Sequence, residues 1–405
     1  MDRLHLTYAA FGTVGVLLAL VSRNMRQLPL SEPLVALILG VMLGPQLLGV
    51  LEIDQQVRDP LLLEGTRLLL AGSVMAAALR FPATALRPLV RPLLLLLAVV
   101  MPLAAAMTGA AALLLGLPVA LAALVGACLS PTDPVLAASV VSGGPAERDL
   151  PARMRQLLTA ESGANDGLAL PLVGIAVVAV LPATGPGDAV GRLVWEVLAG
   201  ALIGVLAGVL AGRALKAAIG RQSIGPGPEL VFTLLLAVAV LGIARLAGTD
   251  GVLAVFVAGL AYNRMIGESE RSPQDSIDEA VNRYAVLPLF LVLGTVLPWQ
   301  EWAAFGPAAI AFVAAVLLLR RLPFVLALAR PLGLRWRDAT FTGWFGPMGV
   351  SAVFYLAHSL EEGVSDPRLF AAGTLAVAAS VLAFGVTASP GRKAYASPDR
   401  AELPR

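Results

Sequence analysis

The chain has 405 residues, 58% of them hydrophobic and 14% charged, with a net charge of +2. Soluble domains carry about a quarter charged residues, so this composition excludes an ordinary soluble enzyme, and the near-neutral balance offers no surface for nucleic acid. One cysteine, Cys128, and two histidines, His5 and His358, exclude a disulfide framework, a thiolate cluster and a histidine-rich metal site.

Apolar runs about 20 residues long recur from end to end, as in membrane-spanning helices. They do not alternate apolar and polar residues, as strands of a β-barrel would. The predicted fold class is an all-α polytopic membrane protein. Thirteen spans are predicted, at 5–22, 31–51, 61–79, 92–116, 118–141, 151–181, 192–216, 227–246, 250–265, 280–298, 301–322, 338–359 and 368–388. The first run, Leu4 to Val21, lacks a small-x-small cleavage site before Arg23 and so reads as a span. Turn signals separate later spans: GGP at 143–145, GPG at 185–187, GPGP at 225–228 and RPLG at 330–333. Residues 1–388 form a single membrane unit in this reading, and 389–405 a short, polar cytoplasmic tail.

Basic residues orient the array. Arg23, Arg26, Arg80, Arg87, Arg91, Arg148, Arg153, Arg155, Arg213, Lys216 and Arg221 fall in alternate connections, followed by Arg264, Arg271, Arg283, Arg320, Arg321, Arg330, Arg335 and Arg337. The opposite connections are short and acidic or neutral, as in EIDQQVRD at 52–59 and SLEEGVSD at 359–366. Basic loops stay cytoplasmic, which puts the N-terminus outside and the C-terminus inside.

Two spans contain helix breakers at mid-membrane: SPTDPV at 130–135 and FGPMGV at 345–350. They lie seven spans apart. Paired broken helices in matching positions of two halves point to the binding site of a secondary transporter built from inverted repeats. Pro131 and Pro134 remove amide donors around Thr132 and Asp133, freeing carbonyl oxygens that suit alkali cations. Asp133 stands where it could orient water or stabilise exposed helix ends.

Between the two breaks, span 151–181 carries LTAESGANDGLALPLVGI at 158–175. Residues four apart share a helix face, so Ser162 stacks with Asp166 and Glu161 with Asn165. A carboxylate at this depth is costly unless paired, hydrated or protonated. Burial favours its protonated form and a nearby cation its charged form, so one carboxylate holds H⁺ or a cation in turn. Asp166 is the candidate for that exchange, against the alternative of a polar contact between helices. Glu161 is expected to form a fixed ion pair with an arginine, and Asn165 either serves the site or joins helices. Asp250 reads as a helix N-cap, Glu64 and Arg67 as interfacial side chains, and Cys128 as a packing residue.

SPTDPV and ESGANDG (161–167), in this order, resemble the monovalent cation/proton antiporters of the NhaP and sodium/proton exchanger group. SEPLVALILGVMLGP (31–45), TDGVLAVFVAGLAYN (249–263), FLVLGTVLPW (290–299), RRLP (320–323) and GWFGPMGVSAVFYLA (343–357) resemble the fungal plasma-membrane branch of that group. The resemblance implies thirteen helices with two crossing discontinuous ones. It implies a six-helix core domain drawn from the spans at 61–79, 92–116, 118–141, 151–181, 280–298, 301–322, 338–359 and 368–388, and a dimerisation domain from the rest. By motif, Asp166 carries ion and proton, Ser162 and the Thr132 carbonyl add cation ligands, Asp133 stabilises the crossing, and Asn165 braces it. Glu161 pairs with Arg321, with Arg320 as the reserve. Met348 stands where many relatives have arginine, and span 61–79 has no mid-span acid like that of some archaeal members.

The function so implied is exchange of Na⁺, Li⁺ or K⁺ for H⁺ by a homodimer in the plasma membrane, electroneutral at 1:1, without a cofactor and without enzymatic activity. A K⁺-selective exchanger is the alternative. A channel would use charged rings or a symmetric filter, and an organic-anion carrier would need cationic anchors.

Overall fold

The computed structural model describes residues 12, 13, 16, 30–80, 87–181, 186–221, 223, 226–249, 251–266 and 284–396. Most of the predicted first span, the start of the span at 280–298, Asp250, and Arg23, Arg26, Arg271 and Arg283 lie outside the described residues. Every regular element among the described residues is helical. The main ones are α1 (Glu32–Leu43), α2 (Gln55–Leu79), α3 (Arg87–Leu115), α4 (Val119–Cys128), α5 (Pro134–Val141), α6 (Ala152–Val180), α7 (Pro186–Gly220) and α8 (Pro226–Leu246). Then follow α9 (Val252–Met265), α10 (Leu287–Thr295), α11 (Pro307–Leu319), α12 (Leu322–Ala327), α13 (Trp336–Trp344), α14 (Val350–Glu361) and α15 (Pro367–Ala396). Among the described residues, six stretches are long and apolar enough to cross a membrane: those in α2, α3, α6, α7 and α15, and Pro307–Ala327. The molecule is an all-α polytopic membrane protein.

Helices surrounded by lipid gain nothing by hiding apolar side chains from one another, so they close up where side chains are small. In α7, Gly204, Gly208 and Gly212 recur every four residues and face α9. A Cβ at Gly204 would overlap the Ala254 carbonyl oxygen, one at Gly208 the Ala258 carbonyl oxygen, and one at Gly212 would come within 2.6 Å of Met265 Cβ. The opposite side of α7 carries Leu198, Leu202, Leu206 and Leu210, all exposed, as a lipid-facing stripe requires. Helices α1 and α10 meet through the reciprocal pair Gly40 and Gly294, and α3 meets α4 through Gly109 and Gly126. Gly208→Leu is expected to force α7 and α9 apart, costing about 3 kcal/mol; a lowered unfolding temperature in detergent is the readout, with Gly220→Leu, where a Cβ meets nothing, as the control.

Several predicted boundaries move. The span at 31–51 is helical only to Leu43, because Gly44 leaves the helix and the chain folds back, with Leu51 N–H donating to Leu43 O at 2.8 Å. The span at 118–141 divides into α4 and α5, and that at 338–359 into α13 and α14. Beyond the span at 301–322, a stretch read as a connection forms α12 and a further helical turn at Ala329–Leu332.

The polar tail expected from residue 389 is instead helical to Ala396, as the end of α15. Side-chain contacts hold it. Tyr395 donates its hydroxyl to Asp338 Oδ1 at 2.6 Å and sits edge-on to Phe341, and Arg392 pairs with Asp149 at 3.1 Å. Arg67 departs from its interfacial reading too. It is 2% exposed, bonded to Glu64 of its own helix, 3.4 Å from Glu361 of α14, and lies over the Phe354 ring at 5.6 Å. Two carboxylates and an aromatic face offset its desolvation.

Candidate ion site

Helix α4 ends at Cys128 and α5 starts at Pro134. Pro131 and Pro134 have no amide hydrogen, so the chain between leaves the helical path. In the other half, α13 ends at Trp344, the chain passes through Gly346 and Pro347, and α14 starts at Val350. The two breaks touch: Asp133 N–H donates to the Pro347 carbonyl at 2.8 Å. Four half-helix ends therefore meet inside the protein. Two present unpaired N–H groups and partial positive charge; two present unpaired carbonyls and partial negative charge.

Opposite charges sit on these ends. Asp133 is fully buried; its Oδ1 accepts from Leu136 N–H of α5 at 2.9 Å and its Oδ2 from Ser351 N–H of α14 at 3.2 Å. One carboxylate thus serves both N-termini. Arg320, 3% exposed, donates to the carbonyls of Leu129 at 2.8 Å, Ser130 at 3.1 Å and Pro131 at 3.4 Å, and to that of Gly346. One guanidinium thus serves both C-termini. The sequence reading held Arg320 in reserve for Glu161; it is occupied here instead.

Glu161 is paired with Arg321. The two guanidinium nitrogens Nη1 and Nη2 meet Oε1 and Oε2, the second at 2.7 Å, and Arg321 Nε donates to Thr342 O at 3.1 Å. Both residues are buried, and the fork-to-fork geometry is the strong form of this pair. Met348 is 1% exposed and lines a cavity with Arg320, Arg321 and Phe384, while its N–H donates to Ser380 Oγ at 2.8 Å.

Asp166 differs from all of these. It is fully buried in α6, and neither carboxylate oxygen has a hydrogen-bond partner. Its neighbours are fixed. Asn165 donates Nδ2–H to Thr132 Oγ1 at 2.7 Å and accepts Thr132 N–H at 3.3 Å, which joins α6 to the first break. Ser162, one turn earlier, donates to Thr159 O at 3.2 Å and keeps its lone pairs. Tyr355 of α14 donates its hydroxyl to the Asp166 backbone carbonyl. Pro171 offers no N–H to the Gly167 carbonyl, so the backbone beside Asp166 is locally rich in oxygen acceptors.

Asp166, Asn165, Thr132 and Asp133 are linked at the crossing through α6, the first break and α14. Glu161, paired with Arg321, lies on α6 one turn before Asn165. Arg320, Tyr355 and Ser351 also reach this centre. The sequence offered RRLP for the first, but a tyrosine and a serine inside an apolar helix carry no pattern that separates them from packing. Among the described residues no group of three or more His, Cys, Asp or Glu side chains could hold a metal, so the donors at Asp166 are hard oxygens around one acid.

The family profile described as "Sodium/hydrogen exchanger, transmembrane" matches residues 14–391. The chain belongs to the sodium/hydrogen exchanger family. Among curated relatives, this family member is 32% identical over 373 residues to "Na(+)/H(+) antiporter 2" of Zygosaccharomyces rouxii, covering 87% of this chain and 46% of that one. It is 30% identical over 371 residues to "Na(+)/H(+) antiporter" of Schizosaccharomyces pombe, covering 87% of this chain and 79% of that one. It spans less than half the length of the Zygosaccharomyces relative. Its fold matches that of the sodium proton antiporter MjNhaP1 from Methanocaldococcus jannaschii, with a TM-score of 0.76, 17% identity, and 98% and 99% of the two chains covered. The exchanger family is one of transmembrane transporters.

Proposed function

We propose that the protein is a secondary antiporter that exchanges a monovalent alkali cation for H⁺ at Asp166 by alternating access. The observation that carries this is a fully buried carboxylate with both oxygens unpaired, beside two broken helices. Left charged and empty, such a group costs several kcal/mol, in the range of about 2.5–3.5 at the bilayer centre by insertion scales. A proton removes the charge, and a cation balances it. The two cannot share the site, so each displaces the other, and proton inhibition in acid is intrinsic.

Ser162 and the Thr132 carbonyl complete the cation's oxygen shell in this reading, and Asn165 braces the Thr132 segment. Asp133 and the Glu161–Arg321 pair keep the crossing intact. Since Glu161 is neutralised by Arg321, and Asp133 is balanced by two helix N-termini, one carboxylate remains to cycle. That supports electroneutral exchange of one H⁺ for one cation. The names of the fungal relatives support Na⁺ as a substrate, with Li⁺ and K⁺ as further candidates.

The same reading makes the protein a homodimer of the plasma membrane, thirteen spans with the N-terminus outside and the C-terminus inside. A core domain containing the crossing moves against a dimerisation domain, and the chain acts in pH and cation homeostasis. The deciding experiment uses purified protein in liposomes with a pH dye, offering Na⁺, Li⁺ and K⁺ in turn while ionophores clamp the membrane potential. Cation-driven proton release at a rate indifferent to the clamped potential is expected. Rates that follow the potential would reject 1:1 exchange, and no response to any of the three ions would reject the function.

A further inference from the structure

We infer that Ser351 supplies a further cation ligand at Asp166, contributed by the second broken helix. This rests on the antiport reading above and deepens it. Ser351 is fully buried in the first turn of α14, and its hydroxyl has no hydrogen-bond partner. It lies on the same face of α14 as Tyr355, one turn on, which reaches the Asp166 backbone carbonyl, and the two carboxyl oxygens of Asp166 are buried without a geometrically formed hydrogen bond. Buried hydroxyls are nearly always satisfied, so an orphaned hydroxyl on the helix that also holds the backbone of an orphaned carboxylate marks a place suited to an occupant. Serine hydroxyls commonly bond to the carbonyl one turn back in a helix. At the first turn of α14 no such helical carbonyl exists, since the chain turns out of the helix at Gly349.

The position is held from both sides. Ser351 N–H is fixed on Asp133 Oδ2 at 3.2 Å, and one turn later Tyr355 is fixed on the Asp166 carbonyl. The hydroxyl can therefore rotate without moving its backbone. With the site empty it can turn its hydrogen to the carboxylate; with an alkali ion bound it can turn a lone pair to the ion. Its oxygen is hard and neutral, which suits Na⁺ or Li⁺ and adds no charge to the exchange cycle. A ligand on α14 also makes the loaded site depend on both halves of the crossing, whereas Asp166, Ser162 and Thr132 all come from the first half.

The test compares Ser351→Ala and Ser351→Thr with the unaltered protein in liposomes, measuring Na⁺/H⁺ exchange across a range of Na⁺ concentrations. Loss of one oxygen ligand in Ser351→Ala is expected to raise the apparent KM for Na⁺ about tenfold, with the maximal rate within about twofold, and Ser351→Thr is expected to restore the KM. In detergent, the rise in unfolding temperature on adding Li⁺ or Na⁺ should shrink in Ser351→Ala and return in Ser351→Thr. An unchanged KM in Ser351→Ala would overturn the assignment while leaving antiport intact. So would a fall in maximal rate at unchanged KM that threonine does not repair, the mark of a structural role. If Ser351→Ala fails to fold, Ser351→Gly takes its place, and failure of both to fold would likewise overturn a ligand role. Absence of exchange in the unaltered protein would instead overturn the parent reading.

Discussion

Asp166→Asn is expected to reduce exchange to that of protein-free vesicles for Na⁺, Li⁺ and K⁺ alike, while the protein folds at least as well as before. The amide occupies the same space as the carboxyl but neither releases a proton nor carries charge. Losing the single anionic ligand from a buried site forfeits about 3 kcal/mol or more of cation binding, over about a hundredfold in affinity. Stability should move the other way. The native carboxylate is buried without a hydrogen bond, and removing an uncompensated buried acid relieves a desolvation cost. A variant that is inactive, well folded and no longer stabilised by added Na⁺ would fit the proposal. One that retains full exchange would end it. Asp166→Glu keeps the charge but lengthens the side chain against fixed neighbours, and should retain a residual rate.

The second large effect concerns the Glu161–Arg321 pair. Arg321→Ala leaves a fully buried carboxylate facing an empty space, beneath the crossing that Arg321 also ties to Thr342 O. Breaking a buried ion pair from one side costs about 3–5 kcal/mol, a large fraction of the roughly 5–15 kcal/mol that holds an ordinary protein folded. Replacing both partners by apolar residues of similar volume, as in Glu161→Leu with Arg321→Met, removes the stranded charge. Thermal unfolding in detergent should show the double variant well above Arg321→Ala. Transport should follow stability if the pair is only architectural. A double variant that folds well but exchanges cations at a voltage-dependent rate would show instead that Glu161 takes part in the ion cycle.

Much of this was legible in the residues. Proline and glycine in SPTDPV and FGPMGV announce interrupted helices, because a missing N–H and a missing Cβ act locally. The four-residue spacing of Ser162 and Asp166 is equally local. Glu161 needed a cation, and RRLP offered two adjacent arginines. What separates Arg320 from Arg321 is the direction each side chain takes at the end of α11, which depends on the packing of α12 and α13. The choice of Arg321 for Glu161 therefore rested on spacing, and nothing in the sequence announced that Arg320 would bind four carbonyls. Backbone acceptors have no letter in the sequence. Ser351 was hidden for a related reason: a hydroxyl in an apolar helix reads the same whether it packs or points at an ion. Composition also misled at 44–51, where apolar residues continue although Gly44 has already ended α1, and at 389–396, where polar residues extend α15 through contacts with Asp149 and Asp338.

The double duty of Asp133 and Arg320 has a consequence for how the protein meets different lipids. Because each half-helix end finds its counter-charge within the crossing, this centre borrows nothing from headgroups or solvent for neutrality. Thick or thin, anionic or zwitterionic, the surrounding bilayer leaves that internal balance alone. Sensitivity to membrane composition should then reside at the periphery, along α7, whose outward leucines are the side chains left to meet acyl chains.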